Sequence, residues 1–402
     1  MFAATRIKQL QGCRRLNDSD ERHAPLDEPR NIPKELGRVA AFMAVAVVGP
    51  FLVLWFLVSG PTAENVSSKK VTSADYVGAR SCRECHPGEA ALHSRSGHAH
   101  TLQPGAMVDF AGWLDGRTAV DPEHPESSWT YALRDHDLIA SRTEDGKVAE
   151  HTLDYALGSG THAVTFLSLT GRDAEGRALG LEHRLTYFTD RQELDVTPAQ
   201  EAGANPIGRS ADGHALTADE TMKCMGCHAT RLSADDERFI DPAAIMPNVS
   251  CERCHGPGRS HVEAARRGGK ALPMPFGESK PAAAELTIRL CGQCHRLPEY
   301  VPRDQLRPDN AILARFQPVG LMQSKCYTQS KGTLSCSTCH DSHAPTSRDK
   351  AEYESICLSC HSTPPQHACP VSPQSDCLKC HMPPRDSGNG MMFSDHWIRK
   401  GP

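Results

Sequence analysis

Residues 249–261 read VSCERCHGPGRSH, and the part that decides the fold is Cys251 to His255: two thiols three positions apart, with an imidazole directly after the second. The same Cys-x-x-Cys-His pattern recurs at Cys82/Cys85/His86, Cys224/Cys227/His228, Cys291/Cys294/His295, Cys336/Cys339/His340, Cys357/Cys360/His361 and Cys377/Cys380/His381. Seven copies use fourteen of the seventeen cysteines. A chain of this composition would contain roughly 0.04 copies by chance, so the spacing is a signature and the cysteines need one common explanation.

Covalent haem is that explanation. Two thiols at this spacing can both add to the vinyl groups of a haem, and the histidine that follows is then held beneath the iron as its proximal ligand. Structural zinc is the main competitor, since Cys224/Cys227 with Cys251/Cys254 has a ribbon-like spacing, but a zinc ribbon does not require the histidine. A disulfide framework is weaker still, because the two cysteines of one such motif make a poor crosslink. The sequence therefore predicts seven covalently attached haems c.

Each iron needs a sixth ligand or keeps an open position, and that choice separates electron transfer from catalysis. Thirteen histidines lie outside the motifs beyond the N-terminal region. The candidates for distal ligation are His98 in SGHAHT, His162 in GSGTHA, His261 in CHGPGRSHV, His343 in CHDSHAP, His367 in PPQHACP and His396 in SDHWIR. His124, His136, His151, His183 and His214 fall in the long stretch without motifs and are expected to face solvent. Met382, Met391 and Met392 offer thioether ligation, which would raise a haem potential. The surplus of histidine makes mostly bis-histidine ligation the expectation, and with it electron transfer between respiratory partners. The catalytic alternative is a reductase or oxidase of a small nitrogen or sulfur oxyanion at one open-site haem.

Six of the seven motifs crowd between Cys224 and His381. Only 39% of the chain is hydrophobic and 5% aromatic, thin for a core of 402 residues, so porphyrins are expected to fill the interior. The predicted fold is a multihaem cytochrome c fold of short helices and irregular loops around stacked haems, with helical signals in PGEAALHSRS, HVEAARRGG and PAAAELTIRLCGQC. Residues 103–215 differ: WTYALRDHDLIASRTE, HAVTFLSLT and HRLTYFTDRQELDV carry β-branched and aromatic residues between polar breaks, and predict a β-rich insertion. The six-haem cluster is expected over 216–385. Cys326 and Cys369 remain outside the motifs and could pair or stay free thiols.

Val39 to Val58 run VAAFMAVAVVGPFLVLWFLV without a charge, long enough for one membrane-spanning helix over 39–59. Eight Lys and Arg residues precede it from Arg6 to Arg38 and none follows at Ser59–Val66, which predicts a cytoplasmic N-terminus. The expected layout is a disordered cytoplasmic tail (1–38), the anchor, a linker (60–76) and a periplasmic haem domain (77–402) on a single-pass bacterial inner-membrane protein. A cleaved signal peptide competes, but the apolar run is long for one. The formal charge of −5, without basic runs between aromatics, argues against nucleic-acid binding. The expected partners are other redox proteins, a quinol-side donor and a periplasmic or membrane acceptor.

YVGARSCRECHPGEAALHSRSGHAHTL, MKCMGCHATR, VSCERCHGPGRSHVEAARRG, LSCSTCHDSHAP and CLKCHMPP resemble exported multihaem cytochromes of the cytochrome c-554 and DmsE decahaem type, over about residues 76–400. The resemblance implies distal ligation by His98, His261 and His343. It departs in haem number, seven rather than four, eight or ten, and in the β-rich insertion. That family also includes reductases and oxidases of nitrogen and sulfur compounds, so likeness implies cofactor and fold more firmly than reaction.

Overall fold

The computed structural model describes residues 71–203, 207–269, 282–330, 332–362, 369–372 and 374–400. The expected tail, the anchor at 39–59, most of the linker and His367 lie outside the described residues. Among those described, no helix is long and apolar enough to cross a membrane. The longest, Ala282–His295, has 14 residues and reaches about 21 Å, against a hydrocarbon core of about 30 Å. The expectation of a single-pass inner-membrane protein with a periplasmic haem domain is corrected accordingly: the described residues offer no span to carry it.

From Leu102 to Leu216 the chain folds mainly as strands. In order they are β1 Leu102–Pro104, β2 Thr118–Val120, β3 Ser128–Arg134, β4 Asp137–Glu144, β5 Lys147–Thr152, β6 Tyr155–Leu157, β7 Ala163–Arg172, β8 Ala178–His183, β9 Leu185–Phe188, β10 Glu193–Val196, β11 Arg209–Ser210 and β12 Gly213–Leu216. One sheet runs β1-β6-β7-β8-β12-β11, with β9 and β10 branching from β7, and a second runs β2-β3-β4-β5. Local sequence explains the second sheet. β3 alternates buried Trp129 and Tyr131 with more exposed Thr130 and Ala132, the period of a half-buried strand. Asp145 and Gly146 both take positive φ between β4 and β5, as a two-residue hairpin turn requires.

The insertion has its own apolar core, built around Trp129, Tyr131, Leu138, Leu153, Phe166 and Leu185. Buried polar groups accompany it. Arg184 pairs with Asp121 (2.6 Å) and Glu123 (2.8 Å), and this contact with Arg184 carries the Asp121 carboxyl below its usual range despite its burial. His183 is fully enclosed rather than solvent-facing, because β8 turns it inward against Trp129 (4.4 Å, edge to face) and the Tyr131 hydroxyl (2.9 Å from Nε2). His151, also expected to face solvent, is partly buried with Nε2 3.5 Å from Asp212.

The motifs sit on or at the ends of short helices. Cys82 lies in Ala79–Arg83, and the others in Ala218–His228, Cys251–His255, Ala282–His295, Cys336–Cys339, Lys350–His361 and Cys377–His381. A helical turn puts residues three apart on one face, which presents both thiols of each motif to the same side. Two of these helices are fixed at their start by side-chain caps: the Thr217 hydroxyl accepts from Glu220 N (3.3 Å) while Thr217 N donates to Glu220 (2.9 Å), and Asp349 accepts from Ala351 N (2.9 Å). The apolar core here is small, centred on Ile288, Leu297 and Leu321.

Candidate haem-binding site

Four motif histidines face a second imidazole supplied from elsewhere in the chain. His86 faces His261 with ring centres 6.4 Å apart, His255 faces His343 at 6.1 Å, His295 faces His98 at 6.3 Å, and His340 faces His396 at 6.2 Å. Two metal–nitrogen bonds of about 2.0–2.1 Å, plus the distance from each nitrogen to its ring centre, add up to about 6.3 Å. Each pair therefore fits one iron held from both sides, the remaining positions being those a tetrapyrrole fills.

The hydrogen bonds around these rings leave the correct nitrogen for a metal. His228 Nδ1 donates to the Thr101 carbonyl (2.8 Å) and His381 Nδ1 to the Arg399 carbonyl (2.7 Å). His396 Nδ1 donates to the Ser394 carbonyl (2.9 Å), which leaves Nε2 as the nitrogen available to a metal. Such outer partners fix the tautomer and orientation of metal-binding imidazoles. Burial also keeps the rings in their neutral, ligating form: it lowers His98, His228, His295 and His340, and takes His396 down to about 4.

The attachment segments lie against one another. Cys82 and Cys251 are within side-chain hydrogen-bond reach, as are Cys227 with Cys294 and Cys291 with Cys336. Cys254 feels Cys291, and Cys357 feels both Cys339 and Cys377. Read along these contacts, the first motif adjoins the third, the third the fourth, and the fourth both the second and the fifth, with the sixth and seventh following. Cys326 and Cys369 are free thiols. His162 stands against the Phe393 ring at 4.7 Å and is in none of the four pairs.

Cys85, Cys360 and Cys380 are exposed, whereas the other eleven motif cysteines are half-buried. Each is the second thiol of its motif, and Glu84, Ser359 and Lys379 immediately before them are exposed as well. The physical reason is their place in the contact order: the first, sixth and seventh motifs stand toward its two ends, where fewer neighbouring segments are available to cover them. Burial of an attachment thiol depends on such neighbours, which the five-residue motif does not encode.

The family described as cytochrome c554 and c-prime matches residues 194–256, which carry the second and third motifs. The dissimilatory sulfite reductase MccA of Wolinella succinogenes is 23% identical over 386 residues, covering 77% of this chain. The chain is a multihaem c-type cytochrome. It spans about half the length of that curated relative, 50% of it being covered. The crystal structure of the outer cell wall cytochrome OcwA is similar at a TM-score of 0.43 and 15% identity, covering 81% of this chain and 80% of the other. The cofactor of such a cytochrome is covalently bound haem c, and the paired imidazoles fit it.

Several residues that position the cytochrome's site carry no recognisable motif. Glu252, inside the third motif, is buried and accepts backbone hydrogen bonds from Val77 (2.9 Å), Gly78 (2.8 Å) and Gly258 (2.8 Å), which pulls the start of the first motif onto the third. Gly320 admits the C-terminal segment: a Cβ there would lie 2.5 Å from Trp397 N and 2.7 Å from the His396 carbonyl carbon. Ser324 then fastens that segment, donating to the His396 carbonyl (2.9 Å) and accepting from Ile398 N (2.8 Å). The nearest signal in the sequence was the identity of the variable residue within a motif, Glu252, since a carboxylate in a crowded apolar setting must find donors.

Proposed function

We propose that the chain is a heptahaem electron-transfer protein, with haems c attached at Cys82/Cys85, Cys224/Cys227, Cys251/Cys254, Cys291/Cys294, Cys336/Cys339, Cys357/Cys360 and Cys377/Cys380. His86, His228, His255, His295, His340, His361 and His381 are the proximal ligands in this reading. His261, His343, His98 and His396 are the distal ligands at the first, third, fourth and fifth motifs. The observation that carries it is the set of four imidazole pairs at 6.1–6.4 Å, since bis-histidine ligation blocks substrate at the iron and favours low potentials and outer-sphere transfer. His162 and His367 are the remaining proposed distal ligands. The haems would stack in the order of the attachment contacts and pass electrons between a quinol-side donor and another redox protein. When bound, the haems supply the electron-carrying iron; the chain orients them and supplies the axial imidazoles.

The test is a haem count by pyridine haemochrome and intact mass, with the axial state read by electron paramagnetic resonance. Seven haems in low-spin form support the reading, and fewer than seven attached haems would overturn the count.

A second reading has its own observation. His228 and His381 are in none of the four pairs, although the Nδ1 of each is held by a backbone carbonyl in the manner of a ligand, and a relative of the chain is described as a dissimilatory sulfite reductase. An open position at the haem of Cys224/Cys227 or of Cys377/Cys380 would suit reduction of a small sulfur or nitrogen oxyanion. A high-spin signal from one haem in seven that changes on adding sulfite or nitrite would favour this reading over pure electron transfer.

A further inference from the structure

We propose that Glu182 is a redox-linked proton acceptor for the haem attached at Cys224 and Cys227, taking up one proton as that haem gains one electron. The inference rests on haem attachment at the second motif and goes beyond it.

β8 and the helix that carries the second motif run in step. At Gly180 the strand comes so close that a Cβ would lie 2.9 Å from Thr221 Oγ1. Two residues further along a strand is the next position on the same face, and three residues along a helix is the next turn on the same face. Those steps lead to Glu182 and to Cys224. Their proximity shows in the thiol, which burial first and the Glu182 charge second push up to about 11.

The surroundings of Glu182 suit a group that changes charge. Gln200 Nε2 donates to its carboxylate (3.0 Å), and His214 Nδ1, across the β8–β12 ladder, lies 4.0 Å away. Among the described residues His214 is the one cation-forming group within 4.0 Å. Arg209 on β11 and Arg315 act from farther away, with Arg296 and Glu201 beside Arg315, and the helix brings Glu220 and Lys223 to the Cys224 side. No fixed ion pair therefore locks the carboxylate, and burial outweighs these cations to raise its pKa. The side chain still keeps 26% of its surface open, so water can deliver the proton.

The balance is simple. With haem attached, an electron arriving from a neighbouring haem would reduce ferric to ferrous iron, and the Glu182 carboxylate would take a proton from water and become the neutral acid. One negative charge is added and one is removed, in a region where uncompensated charge is costly.

The experiment is a spectroelectrochemical titration of the full haem-loaded chain over a pH series, with haem on the Cys224 peptide checked by mass. One haem should fall in potential as pH rises, approaching 59 mV per unit where one proton accompanies one electron. Glu182→Gln should abolish that slope with all haems retained. Reduced-minus-oxidised infrared spectra of the unmodified protein should gain a protonated-carboxyl band, which keeps the test decisive if the variant does not fold. An unchanged slope in Glu182→Gln, loss of the slope in His214→Asn alone, or absence of the infrared band overturns the proposal. Absence of haem from the Cys224 peptide overturns it together with the haem assignment, and so separates the two failures.

Discussion

Glu252 and Val77 stand 175 residues apart in the chain, yet the Glu252 carboxylate accepts the Val77 backbone N–H at 2.9 Å. With the bonds from Gly78 and Gly258, one buried side chain serves three backbone donors and joins two haem-attachment segments. The link also sets the distance between His86, just after the first motif's thiols, and His261, one helical turn beyond Gly258.

Glu252→Ala should therefore destabilise the protein by about 2–3 kcal/mol, because buried Gly258 N–H and the half-buried Val77 and Gly78 N–H groups lose a charged acceptor at once. Glu252→Gln should cost less, since its oxygen can still accept. Thermal unfolding of the two variants measures the difference, and equal stability of the alanine variant and the parent would show that the carboxylate organises nothing.

Replacement of one distal imidazole should change one haem. His261→Ala, His343→Ala, His98→Ala and His396→Ala are each expected to convert a single low-spin haem to high spin while the covalent haem count stays the same. Electron paramagnetic resonance and carbon monoxide binding read this directly; a variant whose spectrum matches the parent would remove that histidine from the ligand set.

Gly320→Ala should resemble His396→Ala at the same haem. The added methyl would press on Trp397 N and on the His396 backbone, both main-chain atoms that cannot rotate aside, so the segment must move and His396 with it. A high-spin haem together with a lowered melting temperature is the expected result.

His183 makes stability depend on pH. Burial pushes its pKa down to about 3, below the roughly 6.5 of an exposed imidazole, so the folded state holds the neutral ring. Its contribution is fully present above about pH 6.5 and is lost as pH falls toward 3, at about 1.4 kcal/mol per unit where the unfolded chain is protonated and the folded one is not. His183→Gln should flatten the acid limb of a denaturation series between about pH 6 and 4. An equally steep limb in the variant would assign the dependence to other groups.

The sequence by itself determined the cofactor and its points of attachment, because covalent chemistry at Cys-x-x-Cys-His is local and needs no fold to be legible. It also showed where a helix leads into a motif, as at Ala282–His295, or follows one, as at Arg259–Arg266, and where strands replace them, because periods of 3.6 and 2 are written within a few residues. Only the tertiary structure decided which imidazole faces which. His98 meets His295 and His86 meets His261 across long separations, fixed by contacts such as Glu252 with Val77 and Gly320 with Trp397 that follow no period. It also decided which thiols are covered, since Cys85, Cys360 and Cys380 share a motif with half-buried partners yet stand exposed. His183 and His214 both lie in the stretch expected to face solvent, yet one is sealed between aromatic rings and the other approaches a half-buried carboxylate. Burial is a property of what the rest of the chain places around a residue, and distance in space depends on the sum of many such placements; neither is carried by the identity of the residue itself.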